Sequence, residues 1–385
     1  MANQKVKGSN QTGSWYSVTR KIHLVLGVIC SLVVLIVALS GSLYSLQEEI
    51  QNSFYTHRFV NPSGNPLSPT EIQEIAETFL GDENSVRLHR FSPERSIAVL
   101  FNNPKNYGYI YINQYSGEVL HFQDFRKDFF GLLLKAHMYL LLPPEIGEVV
   151  VGTSSIVFVL VLISGFFLWY KYKSPKIWNW KRGASWRRMN FDFHRNIGII
   201  SLVFGLFFVL TGLTWTFKWY EKGVYYILSG GKTIQELPSE IPPFQFDKYE
   251  SKMDHLFDSL IEARGENLSY TLYFPKSESS PLVLNVNNQI SQFKNLEFFA
   301  FDPNSGASID VGSRFGAYTD GGLADKFLKS NYDLHTGGFW GLGGKIVALL
   351  ASLSIASLPI TGILLLLGKK IKREKKSKIK IVKTS

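Results

Sequence analysis

The sequence predicts an α-helical membrane protein with four transmembrane helices, internally duplicated as two plus two, and two extracytoplasmic α+β modules. Three observations lead there. Four long apolar runs interrupt a chain of 385 residues. Its surplus of basic residues is concentrated just outside those runs. Residues at matched offsets recur between the first and second halves. A mean hydropathy of only +0.02 beside a formal net charge of +10 is reconciled once the two properties are located separately.

The elements follow in order. Residues 1–23 form a cytoplasmic N-terminus with four basic residues and no acid. The run Leu24–Leu46 fills the first span, residues 24–46. Residues 47–148 are the first outer loop, and Val149–Tyr170 is the second span. The loop 171–195 carries eight basic residues and one acid. The run Ile197–Phe217 defines the third span, residues 196–217. A second outer loop, 218–343, precedes the fourth span, 344–367, whose run is Lys345–Leu367. The tail 368–385 holds nine basic residues and one acid. Each run reaches the roughly 20 residues that a helix needs to cross a ~30 Å hydrocarbon core. Lys345, at an edge, is the one charged residue within them.

Together the three short segments hold 21 basic and two acidic residues, and the remainder holds 20 basic and 29 acidic. The positive-inside rule therefore places both termini and the middle loop in the cytoplasm and the two long loops outside. Basic charge here reports topology. Nucleic-acid binding is not expected, because no cytoplasmic piece is large enough to fold a basic surface. The first span is too long for a signal-peptide core and no convincing small-x-small cleavage site follows it, so it is read as retained. The single cysteine, Cys30, excludes a disulfide framework, a CxxCH haem attachment and a cysteine-held iron–sulfur cluster.

The duplication shows when span one is laid over span three. His23 falls on His194, Gly27 on Gly198, and Ser40-Gly41 on Thr211-Gly212. Spans two and four bring His137, Gly147 and Ser164-Gly165 onto His335, Gly344 and Thr361-Gly362 with one deletion. A parallel repeat implies a pseudo-two-fold axis along the membrane normal. The outer loops repeat as well. Pro69–Leu80 has helical spacing with a Thr cap and acids in its first turn, and strand-like pieces follow at Val86–Phe91, Ile97–Phe101 and Tyr107–Asn113. In the second loop, Lys248–Ala263 reads as a helix, followed by Leu268–Phe274, Leu282–Val286 and Leu296–Phe301. Each module, about 66–123 and 245–312, is thus expected to be one helix on a three-stranded antiparallel sheet.

The repeat also sorts the eight histidines. His57, His89, His121 and His255 have no matched partner and read as ordinary residues of the outer loops. His23 and His194 sit at the cytoplasmic mouth of spans one and three. His137 and His335 lie outside, shortly before spans two and four, His137 within an interfacial helix in Phe129–Leu142. A boundary histidine is either an amphipathic interface residue or a functional group, and ionisable residues at membrane depth favour the second. Paired imidazoles are a common axial set for haem iron in electron transfer. Gly27 and Gly198 each lie one turn after a histidine on the same helix face. They are either close helix contacts or the gap that a macrocycle needs. Arg20, Lys21, Arg195 and Lys135 either meet propionates or anchor the chain at the interface. Phe130, Tyr139, Phe339 and Trp340 are candidates for the outer surface or for packing. One zinc site is not expected from pairs at opposite faces, nor is a proton relay without acids in the spans.

With these residues in view, the chain resembles the PepSY-associated transmembrane helix family over about Trp15 to Lys370. The resemblance rests on His-x3-Gly at His23 and His194, on Leu134-Lys135-Ala136-His137 and on Asp333-Leu334-His335-Thr336-Gly337. The late Ser/Thr-Gly pairs add to it, and the outer stretch with Tyr111-Ile112-Asn113 and Ser116-Gly117 is similar to a PepSY domain. It implies a bacterial inner-membrane protein binding two haems b per chain, with His23, His194, His137 and His335 as iron ligands. The implied activity is reduction of a ferric siderophore or other ferric chelate on the periplasmic side. No GxGxxG follows a strand and no cytoplasmic nucleotide domain is expected, so the donor would be separate, a quinol or a soluble reductase. Two rival readings stand beside this. One is a cofactor-free protein whose outer modules bind a peptidase or sense an envelope signal. The other, ranked third, is an iron or small-solute transporter, for which four spans are few and no broken helix or buried charge is expected.

Overall fold

Long amphipathic and apolar helices dominate the computed structural model, which describes residues 11–172, 184–237, 249–276, 280–288, 292–303 and 305–382. Parts of the expected N-terminal segment, middle loop, second module (245–248), the turn at Asn304 and the last three tail residues lie outside the described residues. The chain divides into two units. One comprises residues 1–44, 133–217 and 347–385; the other comprises 45–132 and 218–346.

The first unit is helical. Its long elements are α1 (Gln11–Tyr44), α5 (Pro144–Tyr172), α6 (Trp186–Thr216) and most of α10 (Gly341–Val382), joined by the end of α4 (Phe129–Tyr139). Four stretches are long and apolar enough to cross a membrane: Trp15–Tyr44, Pro144–Lys171, Trp186–Thr216 and Gly338–Gly368. All four begin before the apolar runs that predict them. The run records where water is excluded, whereas helical hydrogen bonding continues through the interface where polar side chains are solvated or paired. The start of α6 shows this. Asp192, expected in a loop, is buried in the helix and pairs with Arg188 Nε at 2.8 Å and Arg195 Nη2 at 3.5 Å.

In hydrocarbon there is no hydrophobic force between helices, so small residues and cross-helix hydrogen bonds decide how they meet. α1 lies along α5 and α5 along α6. Between them Cys30, Val34 and Ala38 meet Phe158, Val161 and Leu162, with Ile355 and Ala356 from α10. A Cβ at Gly205 of α6 would stand 2.9 Å from Leu162, so glycine is what permits that approach. Ser352 of α10 donates to the Ala38 carbonyl at 2.9 Å. Outward-facing Ile29, Leu32 and Val203 stay about two-thirds exposed, as lipid contact requires.

The second unit is built on one antiparallel sheet of eight strands. They are β1 (Ser85–Arg90), β2 (Ile97–Asn102), β3 (Tyr107–Ile112), β4 (Val119–Asp124), β5 (Ser269–Tyr273), β6 (Leu282–Asn287), β7 (Leu296–Phe301) and β8 (Ser308–Ile309), in the order β4-β3-β2-β1-β5-β6-β7-β8. The two expected three-stranded modules are therefore each one strand larger and share a single sheet. The seam is β1 on β5, with Arg87 opposite Tyr273 and His89 opposite Thr271. Both missed strands lie at the sheet's edges. Val119–Asp124 mixes polarity, as a one-sided edge permits, and Ser308–Ile309 is too short to show a period.

Helices α3 (Pro69–Leu80) and α8 (Tyr249–Arg264) cover one face of this sheet. Ile72, Ala76, Met253 and Phe257 pack on Leu88, Val99, Ile110 and Leu272, among others. Burial of each larger side chain stabilises the fold by about 1.5–3 kcal/mol. The cap of α3 is Ser68, with Glu71 returning the hydrogen bond and Pro69 in the first turn, in place of the expected threonine. Three more helices complete the unit: α2 (Gln47–Phe54), α7 (Lys218–Leu228) and α9 (Leu323–Thr336).

Candidate functional site

Two imidazoles face each other inside the helical unit. His23 of α1 and His194 of α6 have ring centroids 6.4 Å apart with planes at 82°. Two imidazoles sharing one metal ion would leave roughly 6 Å, from two bonds of about 2 Å and half a ring on either side.

The neighbours fix the proton on each ring. His23 Nδ1 donates to the Val161 carbonyl at 3.0 Å and stands 3.1 Å from Ser164 Oγ. Ser164 sends its own proton to the same carbonyl at 2.9 Å. His194 Nδ1 lies 2.8 Å from Thr361 Oγ1, whose proton goes to the Ser357 carbonyl at 2.9 Å. A carbonyl can only accept, so Nδ1 of His23 carries the hydrogen, and with the Thr361 proton on the Ser357 carbonyl and the Leu358 carbonyl also beside the ring, His194 is arranged in the same way. Nε2 of each is left with its lone pair and makes no hydrogen bond to a described residue. That is the tautomer a metal ligand needs, held by the kind of outer contact that orients ligating histidines.

Two readings stand open for Gly27 and Gly198, a close helix contact or a gap. A Cβ at Gly27 would meet only Val161 Cγ1, at 4.0 Å, and one at Gly198 would meet nothing within 4 Å. Neither glycine is forced by a close approach: the space beside Gly198 is open, and a methyl at Gly27 would make one ordinary contact with Val161. The tight glycines are those of the Ser/Thr-Gly pairs. A Cβ at Gly165 would lie 3.1 Å from His23 Cε1, and one at Gly362 would lie 3.4 Å from His194 Cε1. The pair thus offers a ring both a hydrogen-bond acceptor and a hollow. Ser40-Gly41 treats His137 of α4 similarly: Nδ1 donates to the Val37 carbonyl at 2.8 Å, and Gly41 has room only for its hydrogen.

His335 belongs to the other unit and closes the last turn of α9. Buried acids pin both ends of that helix. Asp325 accepts from Tyr225 at 2.9 Å and Ser313 at 2.9 Å, and Asp333 accepts from the backbone of Phe293 and Lys294 at 2.9 and 2.7 Å. Beyond it Gly337 and Gly344 approach so closely that a Cβ on either would strike the other's backbone. Gly147, aligned with Gly344, meets the backbone of Tyr139 in the same way. In both cases the contact falls two residues after a matched histidine.

Of the other expected groups, Arg20, Lys21 and Lys135 are exposed, and Arg195 is held by Asp192 and Asn196. Phe130 is buried, Phe339 lies against Lys294 Nζ at 3.9 Å, and Trp340 is 64% exposed. Lys345 is buried, with Glu49 at 2.7 Å and Glu48 at 3.7 Å neutralising it. Sequence reasoning missed one association. His57 stacks on His121 with centroids 4.3 Å apart, beside Tyr111, and burial holds His57 down at about 4. Nothing in the linear order connects the short 3-10 turn Thr56–Arg58 with an edge strand. Among the described residues, no three His, Cys, Asp or Glu side chains gather as a metal-binding group.

A family model described as the PepSY-associated TM region matches residues 20–369 of the chain. No curated protein matches it.

Proposed function

The chain belongs to the PepSY-associated TM region family, and from that premise we propose that it is an inner-membrane electron-transfer protein carrying haem b. The observation that carries this reading is the His23–His194 pair, two facing imidazoles whose Nδ1 protons are spent on the protein. Two protein ligands suffice for haem iron, because the macrocycle supplies the remaining donors, and the open space beside Gly198, with the loose contact at Gly27, suits a flat group. When bound, haem would supply one-electron chemistry, and the protein's part is ligation, orientation and tuning.

In this reading His23 and His194 hold the inner group. His137 and His335 hold an outer one, an assignment that rests on the repeat in the sequence. Electrons would arrive on the cytoplasmic side from a quinol or a soluble reductase and leave to a ferric siderophore or other ferric chelate in the periplasm. Reduction would release the iron, since ferrous iron binds hard oxygen ligands more weakly. The apolar packing of Cys30, Phe158 and Ile355 keeps water from the helix core and so shapes the potential.

The test is a dithionite-reduced minus oxidised visible spectrum of the detergent-purified protein, with haem quantified per chain. Sharp low-spin b-type bands at about two haems are expected from two bis-histidine sites. A flat spectrum from protein made with added haem would overturn the proposal and turn attention to peptidase or envelope partners.

A further inference from the structure

We infer that the Ser/Thr-Gly pairs are imidazole seats, and that Thr361 and Ser164 are positioning residues that determine which nitrogen of His194 and His23 faces the bound group. This rests on the haem reading and deepens it. Nothing in a helix-packing role for these pairs requires a hydroxyl pointed at a ring nitrogen, yet both pairs of the inner site present one, at 2.8 and 3.1 Å. In each pair the hydroxyl proton is committed to its own helix carbonyl one turn back, so the oxygen acts toward the ring only as an acceptor. The glycine that follows faces Cε1, the carbon between the two nitrogens, so a methyl there would push on the ligating edge.

Both seats place a helix carbonyl beside the hydroxyl, Val161 for His23 and Leu358 for His194, and they differ in how near the hydroxyl stands, 2.8 Å for Thr361 against 3.1 Å for Ser164. Thr361→Val, which keeps the shape, should therefore weaken haem retention about 10–100-fold, the range for outer-contact losses at ligating histidines. Ser164→Ala should do less. The loss should also raise the midpoint potential, because a donated Nδ1 proton enriches the ring in electron density and favours ferric iron. Thr361→Ser should restore both values. Gly165→Ala, with less clearance, should disturb the spectrum more than Gly362→Ala.

The experiment compares haem affinity and redox potential of wild-type protein, Thr361→Val, Thr361→Ser and Ser164→Ala. It adds ¹⁵N spectra of histidine-labelled, haem-free protein, with His194 assigned by its loss in His194→Gln. Expected is an Nδ1–H tautomer at His194 in the wild type that is scrambled in Thr361→Val and regained in Thr361→Ser. Wild-type affinity and potential in Thr361→Val, or an unchanged tautomer there, would overturn the inference. A wild-type protein that binds no haem but shows the Thr361-dependent tautomer would instead sink the haem reading and leave the seat standing.

Discussion

An imidazole's usefulness depends on where its proton is, and at His23 and His137 the proton is assigned by carbonyls that can only accept. The same principle with the opposite consequence operates at His57. It is packed against His121, Tyr55 and Tyr111, and burial first, then the neighbouring His121 and Arg58, hold it down at about 4, with Asp128 opposing. Its folded value lies below the ordinary 6.5. The unfolded chain therefore binds the proton first, and stability present above about pH 6.5 is lost as pH falls toward 4. His89, half-buried at the seam and held at about 3, adds to the same trend. Unfolding of the purified protein followed from pH 7.5 to 4.5 should show a falling midpoint. His57→Gln should flatten that slope, and an unchanged slope would place the proton uptake elsewhere.

At the scale of elements, the apolar runs locate the spanning helices, and glycines and acids then set how they join. The corner between α4 and α5 is the exception to good local chemistry. Leu140 and Leu141 occupy the left-handed region at φ 55° and 62°, where a side chain costs about 1–2 kcal/mol per residue. The corresponding corner before α10 uses Gly337 and Gly341, at φ 81° and 65°. Leu141 is mostly exposed, so Leu141→Gly should relieve strain with little loss of packing. We expect a thermal midpoint a few degrees higher, for a gain of about 1 kcal/mol. A lower midpoint would mean that Leu141 is held by contacts worth more than the strain.

For the whole molecule the leading quantity is the division of charge, 21 basic and two acidic residues in the short segments against 20 and 29 elsewhere. It predicts both termini in the cytoplasm and the sheet-bearing loops outside. In a Cys30→Ser background, Lys232→Cys should react with an impermeant maleimide in intact cells, and Ser385→Cys only after permeabilisation. The reverse pattern would invert the topology and with it the direction of electron flow that we propose.

The spans, the helices at Pro69 and Tyr249 and six of the eight strands were legible in the amino-acid order, because each is written as a local period. Ser164 and Thr361 were visible only as recurring letters. That each seats a histidine from another helix is a fact about two segments that never adjoin in the chain. The merging of two modules into one sheet was likewise unreadable, since the pairing of Arg87 with Tyr273 is made by backbone groups that are the same in every residue. Stacking of His57 on His121 depends on that sheet's edge and shares the reason. Periodicity determined what each segment is; only the packed chain decided which polar atoms meet, and so which oxygens stand against Nδ1 of His23 and His194.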